Sequence, residues 1–103
     1  MKFNSYETIY ILKPYITEAE NLNLINQYKS LIRKYGGRNI LVQHKGRRHL
    51  NYNILSYYDG IYVQINYDAS SNLVKILEKA MNLSELIIRY LTIKNQHINN
   101  IEI

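Results

Sequence analysis

The chain has 103 residues, 47% apolar and 20% charged, which suits one domain with a single core and does not suit a disordered tail. It contains no cysteine, which excludes disulfides, thiolate zinc sites and thiol catalysis, and no apolar run approaches the ~20 residues of a membrane span. The net charge of +5 is local: residues Asn21 to Tyr58 hold seven Lys or Arg and no acid, whereas the rest of the chain holds six basic and eight acidic residues and sums to −2.

The N-terminal stretch lacks the apolar core of a secretory signal and the Arg content of a transit peptide, so the protein is expected to work where it is made. Residues Tyr6 to Leu12 alternate, with Ile9 and Ile11 on one face and Tyr6, Thr8 and Tyr10 on the other, which predicts a strand that Pro14 stops. Thr17-Glu18-Ala19-Glu20 fits a capping box. A helix follows to about Tyr35, with Leu24, Tyr28, Leu31 and Tyr35 on one stripe, widened by Ile25 and Ile32. Gly36-Gly37 supplies the left-handed residue that ends it.

A second strand runs from about Arg38 through Val42, and Gly46 is either a hairpin turn or a bulge inside one long strand continuing to Ile54; the bulge is preferred, because Arg47-Arg48-His49 is poor turn chemistry. Tyr57-Tyr58-Asp59-Gly60 is good turn chemistry and is expected to return the chain into a third strand, where Ile61, Val63 and Ile65 alternate with Tyr62, Gln64 and Asn66. Ser70 or Ser71 caps a second helix with Leu73, Ile76, Leu77 and Ala80 on one stripe, ending near Asn82. Leu86 to Ile93 is apolar on both faces and is expected to be a central fourth strand. Residues 95–103 are expected to form a short flexible tail after a single domain over 1–94. The order β-α-β-β-α-β predicts an α+β, ferredoxin-like split βαβ: a four-stranded antiparallel sheet, both helices on one face and the other face open.

The chain offers little to a catalyst. His44 and His49 sit among positive charges without a neighbouring carboxylate in sequence, the eight carboxylates are scattered, and no nucleophile-elbow motif occurs. No enzyme, metal, cofactor or small-molecule substrate is expected. The run His44-Lys45-Gly46-Arg47-Arg48-His49 points instead to a polyanion, because each cation that neutralises a phosphate releases a condensed counterion. A bulge at Gly46 would let Lys45, Arg47 and Arg48 diverge onto two sides of an RNA ridge, with Tyr52 placed to stack on an unpaired base. Arg38 and Arg89 are weaker RNA-binding candidates. Arg89 interrupts an apolar strand, so it either snorkels to an edge or faces the open side of the sheet. Tyr6, Tyr10 and Tyr62 are candidates to line that open side, and Tyr28 and Tyr35 to enter the core. Lys29, Arg33 and Lys34 read as a solvated helix face.

Tyr6-Glu7, Pro14, Gly36-Gly37, the run Gly46-Arg47-Arg48-His49-Leu50-Asn51-Tyr52-Asn53-Ile54, then Tyr58-Asp59-Gly60-Ile61-Tyr62-Val63 and Arg89 together resemble the small-ribosomal-subunit protein six family of bacteria and plastids. The resemblance spans nearly the whole chain, and Gly-Arg-Arg-x-Leu-x-Tyr is its most specific part. It implies a structural constituent of the small ribosomal subunit that binds the central domain of small-subunit rRNA with small-subunit ribosomal protein eighteen. AT-rich residue usage, dominated by Asn, Ile, Tyr and Lys, and the lack of a transit peptide favour a ribosome of the plastid stroma over bacterial cytoplasm. The family usually has Ala and Pro around the tyrosine where Asn51 and Asn53 stand here, and Asn53 restores a backbone donor that Pro would lack. The alternative is a ferredoxin-like protein-interaction or regulatory module whose basic face meets an acidic partner.

Overall fold

A computed structural model describes residues 3–95, and all of the tail expected over 95–103 except Asn95 lies outside them. The elements are β1 (Asn4–Leu12), α1 (Glu18–Lys34), β2 (Arg38–Ile54), β3 (Tyr57–Ala69), α2 (Ser71–Asn82) and β4 (Ile87–Lys94). The order is the predicted β-α-β-β-α-β, and the strands form one antiparallel sheet in the order β2-β3-β1-β4.

The helix ends form as the sequence requires. Thr17 accepts from the Glu20 amide while Glu20 accepts from the Thr17 amide, so two otherwise unpaired donors are satisfied at the start of α1. Gly36, at φ +88°, closes the other end. Ser70 caps α2 through the Leu73 amide. Both helices then lay their apolar stripes on the same side of the sheet. Leu24, Ile25, Tyr28 and Ile32 of α1 and Leu73, Leu77 and Met81 of α2 join Tyr6, Tyr10, Leu12, Val63, Ile65, Tyr67 and Ala69 of the central strands in one buried cluster.

Four sequence expectations change. Tyr6 and Tyr10 face this core, and the open side of β1 belongs to Ile9 and Ile11. Tyrosine rings fill the space under the helices: Tyr6 stacks on Tyr67 at 6.0 Å, and Tyr10 meets Tyr28 edge-on at 5.6 Å. Tyr35 is the C-cap of α1, one residue past the last helical residue Lys34, and lies exposed instead of completing the apolar stripe. β4 is an edge strand, because the two crossovers place β1 and β3 in the middle whatever the hydropathy of β4. The hairpin turn is Leu55-Ser56, both at positive φ (51° and 70°), between the paired residues Ile54 and Tyr57. This is the two-residue geometry that matches strand twist, built without glycine. The Asp59-Gly60 pair lies inside β3, where a Cβ on Gly60 would overlap the Ile11 side chain.

Polar groups in the core are handled unevenly. Thr8, fully buried, bonds the Tyr67 hydroxyl at 2.7 Å and Thr92 at 2.9 Å, tying three strands together. The hydroxyls of Tyr10 and Tyr28 are buried with no hydrogen-bond partner among the described residues. Desolvation pushes the Tyr10 pKa far up and that of Tyr28 up to about 12; a nearby Ser84 hydroxyl moderates the second without reaching hydrogen-bond geometry. A tyrosine whose pKa is raised on folding keeps its stabilisation below the unfolded value of about 10, and loses it as pH rises from there through the folded pKa. Stability should therefore fall steeply above about pH 10. Tyr10→Phe removes an unpaired buried hydroxyl and should leave stability at pH 7 unchanged or raise it by about 1 kcal/mol, with a shallower alkaline decline. Chemical denaturation across pH checks both, and a loss above about 1 kcal/mol at pH 7 would show that the hydroxyl is satisfied.

Candidate nucleic-acid interface

The β2–β3 ladder carries the basic run. From His44, opposite Val63, to Gly46, opposite Tyr62, β2 advances two residues while β3 advances one. Lys45 and Gly46 thus form the predicted bulge. Gly46 has φ +84° and its missing Cβ would meet nothing within 4 Å, so backbone conformation rather than space demands glycine here.

The residues beyond the bulge fall onto alternate sides. Arg47 pairs with Ile61, and Ile61 with Leu12 of the core, so Arg47 lies on the helix side. Its Nη2 donates to the Pro14 carbonyl at 2.6 Å. His49, next on that side, lies opposite Asp59 and bonds it at 2.9 Å. Hairpin pairing supplies the carboxylate that the local sequence lacks. Arg48 pairs with Gly60 on the open side, and its guanidinium sits 5.6 Å from the centre of the Tyr62 ring. None of Lys45, Arg47 and Arg48 forms an ion pair with a described residue.

Arg89 also reaches the open side: it lies opposite Ile11, which lies opposite Tyr62. A shallow cleft here is lined by Ile11, Leu50, Asn51, Tyr52, Tyr62 and Arg89. Leu50 is buried, and Tyr52, with 65% of its surface accessible, is free to meet a ligand. Next to this cleft Ile9, Ile11, Tyr62 and Leu91 form an apolar stretch bordered by Arg89. Leu91 and Ile93 of β4 stand exposed.

Of the seven candidate residues the structure therefore gathers Lys45, Gly46, Arg48, Tyr52 and Arg89 around the bulge and the open face. Arg47 is adjacent in sequence but turned to the other side. Arg38 stands apart, nine strand residues from Arg47 and so about 30 Å away. It packs over the Phe3 ring at 4.8 Å. Tyr62 lies on the open face as its alternation in β3 predicts, and its link to Arg48, which no local pattern signals, follows from the bulge, since Gly46 stands opposite Tyr62.

A family model described as ribosomal protein S6 matches residues 5–94. The small ribosomal subunit protein bS6c of Gracilaria tenuistipitata var. liui is 77% identical over 103 residues, covering 100% of both chains. That of Porphyra purpurea is 49% identical over 102 residues, covering 99% of this chain and 91% of its own. The crystal structure of 30S ribosomal protein S6 from Thermotoga maritima superposes with a TM-score of 0.84 at 28% identity, covering 91% of this chain and 89% of that one. The chain belongs to the ribosomal protein S6 family, in its plastid form, as a structural and not a catalytic protein.

Proposed function

We propose that this protein binds the central domain of small-subunit rRNA together with small-subunit ribosomal protein eighteen. Lys45 and Arg48 neutralise phosphate, Gly46 lets the backbone approach closely, and Tyr52 and Arg89 contact bases or sugars beside them. The observation that carries this reading is the uncompensated cation cluster. Lys45 and Arg48 share one end of the sheet with Arg89, and no carboxylate of the described chain pairs with any of them. A solubilising surface would intersperse both signs of charge; an acid-free patch attracts a polyanion.

The apolar part of the open face supports a second contact. Ile9, Ile11, Leu91 and Ile93 form a patch on a sheet face that no helix covers among the described residues, and β4 pairs only with β1 among them. This patch suits protein eighteen, docked through apolar contact beside the cationic end, so that one protein face serves both partners.

Two measurements test these assignments. Lys45→Ala with Arg48→Ala should lower the slope of log K against log salt by about 1.8 on duplex RNA, or about 1.4 on single strands, in filter binding with a central-domain rRNA junction. An unchanged slope removes both residues from the interface. Leu91→Asp places a charge in the apolar patch and should weaken association with protein eighteen by roughly 10- to 100-fold, as expected for one lost buried leucine. Wild-type affinity in titration calorimetry would move the docking site elsewhere.

A further inference from the structure

The sheet is four strands wide at Ile61, in one row with Arg47, Leu12 and Ile87, and Leu12 is the last β1 residue to pair with β3. Beyond that point β2 and β3 continue as a two-stranded arm, from Arg48 opposite Gly60 to the turn at Leu55-Ser56. A lone two-stranded hairpin is marginally stable in water. Something must hold this arm at a fixed angle if the side chains at its root are to meet a ligand in a fixed geometry.

On the open side the buried Leu50 packs the arm toward Ile11 and Tyr62, and the polar contacts that could fix its angle lie on the helix side. Arg47, at the last position where β3 still has β1 beside it, donates to the carbonyl of Pro14. Tyr57, at the far end of the arm, accepts a 2.8 Å hydrogen bond from the hydroxyl of Tyr15. That bond holds the Tyr15 hydroxyl pKa above its ordinary value. Pro14 and Tyr15 both belong to the loop between β1 and α1, so the arm is fastened to the body of the fold at two points of one loop. His49 and Asp59 pair between them and close the arm on itself. Every polar group named on this side has an intramolecular partner. On the opposite side Arg48 is held only by the face of Tyr62, and Lys45 has no partner among the described residues.

We infer that Arg47 is a positioning residue that clamps the hairpin arm to the β1–α1 loop, and that the arm meets RNA with its open-sheet side through Arg48 and Lys45. The two adjacent arginines then have different jobs. The first half of this inference stands on the hydrogen bonds alone; the second rests on the rRNA-binding reading above.

Arg47→Ala and Arg48→Ala, made singly, separate the two. Hydrogen exchange of the arm amides between Arg48 and Gly60 should accelerate roughly tenfold in Arg47→Ala, the effect of losing one charge-assisted hydrogen bond, with exchange in β1 unchanged. Arg48→Ala should leave arm exchange near wild type. In binding to the central-domain rRNA junction with protein eighteen present, Arg47→Ala should lower affinity several-fold at an unchanged salt slope. Arg48→Ala should lower the slope by about 0.9 on duplex or 0.7 on single strands. Wild-type arm exchange in Arg47→Ala overturns the clamp, and so does a slope reduced as in Arg48→Ala. If neither substitution moves the slope while Arg47→Ala still frees the arm, the clamp stands and the RNA assignment of Arg48 fails.

Discussion

One inserted residue at Lys45-Gly46 decides what each side of the hairpin presents. Side chains alternate along a strand, so a slip of one position exchanges the two faces. In the register that holds from Leu41 to His44, Arg48 would lie opposite Asp59 and Arg47 opposite Gly60. Arg48 would then meet the chain's own carboxylate on the helix side, and Arg47 would cross to the open side. The bulge gives Asp59 to His49 instead, leaves Arg48 on the face of Tyr62, and turns Arg47 toward Pro14. A glycine is needed because only its backbone tolerates φ +84° at small cost; a residue with a Cβ would pay about 1–2 kcal/mol there.

The rest of the molecule gives that hairpin a rigid base. Two helices cover one side of the sheet and bury a single cluster rich in tyrosine. Thr8 joins β3 to β4 across β1, so the edge strand that carries Arg89 and Leu91 is fixed by side chains as well as by its ladder. The unpaired hydroxyls of Tyr10 and Tyr28 are the weak points of this core, traded for the ring area that the two residues bury. The uncovered side then offers a cationic end and an apolar middle, a combination suited to one RNA and one protein neighbour.

Much of this was legible in the sequence where the signal is local. The capping box at Thr17, the Ser70 cap, the helix stop at Gly36 and the bulge at Gly46 each depend on a few adjacent residues, and the element order followed from them. What failed was what only long-range pairing decides. Alternation in β1 separates Ile9 and Ile11 from Tyr6, Thr8 and Tyr10 but does not say which set the helices cover, since both sets are apolar enough. The hydropathy of β4 puts apolar side chains on both of its faces, Leu91 and Ile93 standing exposed on one, and does not report its rank in the sheet. The Leu55-Ser56 turn defies residue preference, because Gly60 is required elsewhere to admit Ile11. For the interface, composition located the cluster, yet it could not tell Arg47 from Arg48, because their difference is created by the register across the hairpin.

The central claim is that the bulge sorts these cations by side, the open side facing RNA and the helix side facing the protein itself. A structure of the assembled plastid small subunit tests it most directly. The account predicts rRNA phosphate or base atoms at hydrogen-bond distance from Arg48 and Lys45, with the Arg47 guanidinium still on the Pro14 carbonyl. RNA packed against Arg47 and His49, with Arg48 and Lys45 turned away from it, would contradict it.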